Sequence, residues 1–199
     1  MCVQERVNKI QVVQQYKHAF KVSKTFTPNR DIAVYEGRVE LDSRAETAVA
    51  GRNCLLMNYT ERFCDVMPYL EDYKAKTNVP IVQAATGYTS RNGDRFILIF
   101  NEAIWMPLME VSLINPNQLR HFVVLVNDNP YDGPMTIETV GENQEFIACL
   151  DSEGTNIFLE TWTPTMKDLE QYKHIVLTSP HPWNPSTVQF PGISEGDRE

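Results

Sequence analysis

The period of the apolar positions changes several times along the chain, and each change marks an element. From Val3 to Phe20, the residues Val3, Val7, Ile10, Val13, Tyr16 and Phe20 recur every three or four positions, which predicts one amphipathic helix. "SKTFTPN" follows as a linker with a Pro28–Asn29 turn signal. In "DIAVYEGRVELD" the residues Ile32, Val34, Val39 and Leu41 lie in β-rich segments interrupted at Glu36–Gly37, so Asp42 stands at the exit of a strand. "VPIVQAATGY" and "DRFILIFN" flank "TSRNG", where the Asn92–Gly93 dipeptide is suited to the positive φ angles of a tight hairpin turn. "AIWMPLMEVSLINPNQLR" reads as an apolar strand ending at Asn115, which caps a short helix with Pro116 at its first position.

The final third alternates short β-like runs, "HFVVLVND", "TIETV", "QEFIACLD" and "TNIFLETWT", with turns at Pro130, Gly133, Gly141 and Gly154, a pattern of antiparallel β-structure. "TPTMKDLEQYK" then predicts a helix capped at Thr163, with Met166, Leu169 and Tyr172 on one face, before the strand "HIVLTS". The charged "GISEGDRE" has nothing to bury and is expected to fray. The expected organisation is an N-terminal helix and linker over 1–30, a β-domain over 31–120, a β-rich extension packed on the same fold over 121–191, and a flexible tail over 192–199.

Composition narrows the function classes. The chain has 199 residues, 42% of them hydrophobic, enough for a real core. A net charge of -8, with basic residues scattered along the chain, argues against a phosphate-neutralising nucleic-acid surface. No apolar run approaches the roughly 20 residues of a membrane-spanning helix, so no membrane partner is expected. The opening "MCVQERVNKI" carries charges where a secretory signal is apolar, so Cys2, Cys54, Cys64 and Cys149 are expected as free thiols in an intracellular, cytoplasmic setting. No two cysteines have a C-x-x-C spacing and the four histidines stand apart, so neither a metal nor another cofactor is expected.

The candidate chemistry centres on "VELDSRAETAVAG", Val39 to Gly51. Two carboxylates about 3 Å apart that share one proton can hydrolyse a peptide, one activating water while the other protonates the carbonyl. One such acid per chain requires a two-fold homodimer. By the residues alone, Asp42 is either half of such a pair or simply an acid at a strand end.

The order of three stretches resembles the retropepsin-like protease region of copia-type retrotransposon polyproteins: "LDSRAET" at 41–47, "AATGYTSRNGDRFILIFNEAIWMP" at 84–107 and "MEVSLINPNQLR" at 109–120. The continuation from "NIFLETWTPTM" to "TVQFP" is similar to the extension that follows this region in a branch of these elements, so the resemblance covers about 32–191. It implies a mainly β fold, a closed barrel with a flap hairpin, and an aspartic endopeptidase that processes a polyprotein as a homodimer, with virus-like particles as one setting. The chain would then be a fragment, processed product or relic of such a polyprotein. Residue by residue, Asp42 becomes the catalytic acid and Ser43, Arg44 and Ala45 its loop, with the Ser43 hydroxyl as a brace. Tyr88, Asn92 and Gly93 fall in the flap over the substrate, and Leu113 and Ile114 form the apolar pair beneath the loop.

Two positions depart from the pattern. Arg44 stands where the family has glycine, adding a Cβ and a cation to a loop that passes close to substrate and partner. Its guanidinium either pairs with Asp42 and weakens the general acid, or points into the cleft and binds a substrate carboxylate. Asn115 replaces the glycine expected after the apolar pair. Two further readings therefore stand beside the protease: a catalytically silent module that binds peptide or assembles with itself, and an interaction surface built by 121–191 on a barrel scaffold.

Overall fold

The computed structural model describes residues 11–13, 35–67, 74–139, 146–179 and 181–190. Its strands are β1 (Gln11–Val13), β2 (Glu36–Leu41), β3 (Val49–Ala50), β4 (Leu55–Met67), β5 (Lys76–Thr89), β6 (Arg95–Trp105), β7 (Ser112–Ile114), β8 (Val124–Asn127), β9 (Thr136–Thr139), β10 (Phe146–Cys149), β11 (Asp151–Glu153), β12 (Asn156–Trp162) and β13 (Lys173–Val176). The helices are α1 (Pro116–His121) and α2 (Met166–Gln171), followed by a 3-10 turn at Pro185–Thr187. The architecture is mainly β, in two sheets. Among the described residues no helix is long and apolar enough to cross a membrane.

The larger sheet has ten strands in the order β1-β4-β5-β12-β2-β7-β3-β6-β13, with β11 on β12. Because β5 also pairs with β6, the pairings run β5, β12, β2, β7, β3, β6 and back to β5. Around this ring Ile81 faces Ile104, Ile104 faces Val49, Val49 faces Leu113, Leu113 faces Glu40, and Glu40 faces Phe158. Thr161 of β12 faces Tyr88, so Phe158 is level with position 91, just past the end of β5 and ten residues beyond the starting Ile81. A stagger of this kind accompanies strands that tilt around an axis.

The apolar runs of β5 and β6 are buried on both faces, which is why they read as nearly continuous hydrophobic sequence. Val82, Ala84, Leu98 and Phe100 join the main core with Val39, Ile114 and Leu159. Ile97, Ile99 and Ala85 face the other way, under Trp162, Leu169 and Tyr172. The smaller sheet, β10-β9-β8, closes the main core with Val124, Ile137, Phe146 and Ala148, and Phe146 meets the rings of Tyr88 and Phe96 edge-on.

Four expectations need correction. Gln11–Val13, expected inside a helix, is a strand paired antiparallel with Met67–Asp65; the rest of 3–20 lies outside the described residues, as do the linker and the tail. Helix α2 is capped by Thr165, not Thr163: the Thr165 hydroxyl accepts from Asp168 N–H while the Asp168 carboxylate accepts from Thr165 N–H. The Thr163 hydroxyl instead serves the carbonyls of Tyr35 and Arg52. In the turn that joins β5 to β6, Gly93 takes a positive φ, +88°; Asn92 does not, and a turn closed by Gly93 N–H on Ser90 C=O precedes it. Finally, β13 runs parallel to β6, so the last third is not purely antiparallel.

Candidate active-site loop

Asp42 leaves β2 at the point where Leu41 pairs with Ile114 of β7. Its backbone N–H donates to Ile114 C=O at 2.9 Å, and its own carbonyl accepts from Ala45 N–H at 3.3 Å, which turns the chain back. Its carboxylate Oδ1 accepts the Arg44 N–H at 2.9 Å. Asp42 is partly buried, Ser43 and Arg44 are exposed, and Ala45 is buried. This is a tight, self-bonded loop of the type aspartate favours, with one carboxylate oxygen held by backbone and the group at the rim of the fold.

Strand β7 lies between β2 and β3, the two strands that the loop joins: Leu113 faces Glu40 on one side and Val49 on the other. Leu113 is half-buried against Val49 and Ile104, and Ile114 is fully buried in the main core. Register here is fixed by Ser112, whose hydroxyl accepts Gly51 N–H and donates to Asn53 Oδ1, while Asn53 Nδ2 donates to Arg38 C=O and the Thr161 hydroxyl. A buried polar network with its partners in place specifies one arrangement.

The two departures from glycine are accommodated. Arg44 is not in the left-handed region, so its Cβ costs no backbone strain, and its N–H serves Asp42 as any residue's would. Asn115, at φ -79°, caps α1 by accepting the N–H groups of Asn117 and Gln118, while its Nδ2 donates to Ala45 C=O at 2.5 Å. One side chain thus ties the helix start to the far end of the Asp42 loop, which glycine cannot do. Gln118, fully buried on α1, accepts Ala48 N–H at 2.8 Å and fixes the stretch that leads into β3.

The structure brings together Asp42, Ser43, Arg44, Ala45, Leu113 and Ile114; it does not bring Tyr88, Asn92 and Gly93 to them. Tyr88 is buried, packs on Phe146, and accepts Cys149 N–H at its hydroxyl; burial raises its pKa above the ordinary phenol value. The Asn92–Gly93 turn borders a different groove, formed with Arg95, Gln171, Tyr172 and Lys173. The other long hairpin, β4–β5, extends past the ring, because β5 pairs with β6 only from Ile81 onward. It is bent at Glu61 and Asn78, both left-handed, and leaves Tyr59, Phe63 and Met67 exposed.

Two residues near the loop carry no motif that would single them out. Glu102 occupies a bulge of β6 with φ +59°, is 4% exposed, ion-pairs with Arg62 of the β4–β5 hairpin, and accepts Trp183 N–H at 3.2 Å. Trp183, 5% exposed, donates its indole N–H to Glu46 C=O at 3.0 Å. Among the described residues no three of His, Cys, Asp and Glu gather as a metal site.

No family model, curated protein or solved structure matches the chain.

Proposed function

We propose that the chain is an aspartic endopeptidase of retropepsin type, processing a retrotransposon polyprotein as a homodimer in which each copy supplies Asp42. The observation that carries this reading is the passage of β7 between β2 and β3, under a loop whose aspartate is braced by Ile114 C=O and Arg44 N–H. The ring of pairings with its ten-residue stagger supports a closed barrel of the expected kind. In the dimer, two Asp42 carboxylates share one proton. The ionised one takes a proton from water, which attacks the peptide carbonyl carbon, while the protonated one donates to the carbonyl oxygen.

A second reading, a silent peptide-binding module, is favoured by one observation: Arg44 is exposed on the loop tip and lines the adjacent groove, where it adds bulk and charge at the meeting point of the two loops. Asp42→Asn separates the two. Asparagine keeps the oxygen that accepts Arg44 N–H, so folding survives, while hydrolysis of an extended apolar peptide near pH 5 falls by about 10²–10⁴-fold or more. Equal hydrolysis by both proteins rules out the carboxylate mechanism; no hydrolysis by either leaves the binding module.

A further inference from the structure

Beside the Asp42 loop is a groove of about 310 Å³, with Ser43, Arg44 and Asn115 on one wall and Pro185, Val188 and Phe190 on the other. The second wall is the chain's own segment Trp183–Phe190. We infer that this groove is part of a peptide-binding site already occupied by that segment, which acts as a strap beside the loop.

The strap is built in, not draped. Strand β13 delivers it through Thr178, whose hydroxyl accepts Asn101 N–H at 2.7 Å and donates to Asn101 C=O at 2.8 Å, while Asn101 Nδ2 donates to Thr178 C=O. The bulge at Asn101–Glu102 then turns the Glu102 carboxylate toward Trp183 N–H. The Trp183 indole bonds Glu46 C=O, two residues past Arg44, and its ring meets those of His121 and Phe122 at 5.3 and 5.6 Å. The anchor thus bonds the loop and the β6 bulge and packs on the end of α1.

Beyond the anchor, Asn184 caps the short turn by accepting Ser186 N–H, and Pro185, Val188 and Phe190 run along the groove. A carboxylate and a backbone carbonyl that accept the two N–H groups of Trp183, with the rings of His121 and Phe122 beside them, suit an extended segment carrying a tryptophan, the chemistry of the present occupant. The consequence for catalysis rests on the proposed endopeptidase: a substrate lying along this face of the Asp42 loop competes with Trp183 for its place. Binding itself does not depend on hydrolysis.

The test uses the full chain carrying Asp42→Asn, so that nothing is cleaved, and a fluorescent peptide copying residues 181–190. Trp183→Ala in that chain opens the groove, and the peptide binds at least about tenfold tighter than to the chain with Trp183 intact. Equal affinity for the two chains, or no binding to the Trp183→Ala chain, overturns the strap. Should Trp183→Ala lose its circular dichroism or thermal transition, Trp183→Phe, which keeps a ring but gives up the indole bond to Glu46 C=O, gives the same comparison. A parallel assay with Asp42 intact keeps the two ideas apart. Binding gained on release without hydrolysis removes the endopeptidase and leaves the strap; hydrolysis without release-dependent binding does the reverse.

Discussion

Cys54 behaves as a small apolar residue that happens to carry a proton. It is buried, its sulfur lies 3.3 Å from the Ser112 hydroxyl, and burial pushes its thiol up to about 11. The folded chain therefore keeps this proton while the unfolded chain releases it at the ordinary thiol value near 8.5–9. With the folded pKa raised, the stabilisation is complete below pH ~9 and declines as pH rises toward 11, by roughly 2–3 kcal/mol for about two units. Urea unfolding at pH 8, 10 and 11 reads this directly, and Cys54→Ala flattens its share of the slope. A Cys54→Ala protein with an unchanged slope assigns the alkaline loss to other groups. Sequence made some of these single-residue roles plain and hid others. Asn115 was readable as a cap because the next residue is proline, whereas its bond to Ala45 joins positions 70 residues apart. The Thr163 reading missed for the same reason: its hydroxyl answers to Tyr35 and Arg52, remote in sequence, leaving the capping box to Thr165.

Elements were legible where their signal is local. The β5–β6 hairpin and the short runs of the last third follow from alternation and turn residues, which neighbouring positions settle. Which strand lies beside which does not follow, because β12, nearly 120 residues after β2, inserts between β2 and β5. One residue does record that insertion: Gly87. A Cβ there meets the Trp162 indole carbons at 2.3–2.5 Å, closer than atoms can pack, so glycine is what allows β12 to lie against β5 at this register. Gly87→Ala is expected to destabilise by about 2–3 kcal/mol, with β12 the element displaced. Trp162→Val in the same chain removes the ring in the way and restores a good part of that loss, a coupling that thermal melts of the four proteins measure. Purely additive melts mean that the alanine is harmful for some reason other than this contact.

At the scale of the whole molecule, the proposed endopeptidase needs two chains to bring their loops together, and their charge bears on whether they meet. Each chain carries -8 at neutral pH, so a pair carries twice that, and bringing two such bodies together costs electrostatic work that falls as pH approaches the isoelectric point near 5.1. Salt lowers the same cost, since the screening length shortens from about 30 Å at 0.01 M to about 3 Å at 1 M. The proposed chemistry asks for the same acid shift, because two carboxylates in contact keep their shared proton only when the solution supplies it. Association and proton sharing are thus expected to rise together. Sedimentation equilibrium between pH 8 and pH 5.5 should give a dimer constant tighter by about tenfold or more, ~1.4 kcal/mol, at the lower pH. At pH 8, raising salt from 50 to 500 mM should recover part of that gain. If the strap also blocks the meeting of two loops, Trp183→Ala dimerises more tightly than its parent at every pH. A chain that stays monomeric at ~100 µM across this range, with the strap in place and with it released, cannot place two Asp42 carboxylates together, and peptide hydrolysis by this route is then closed to it.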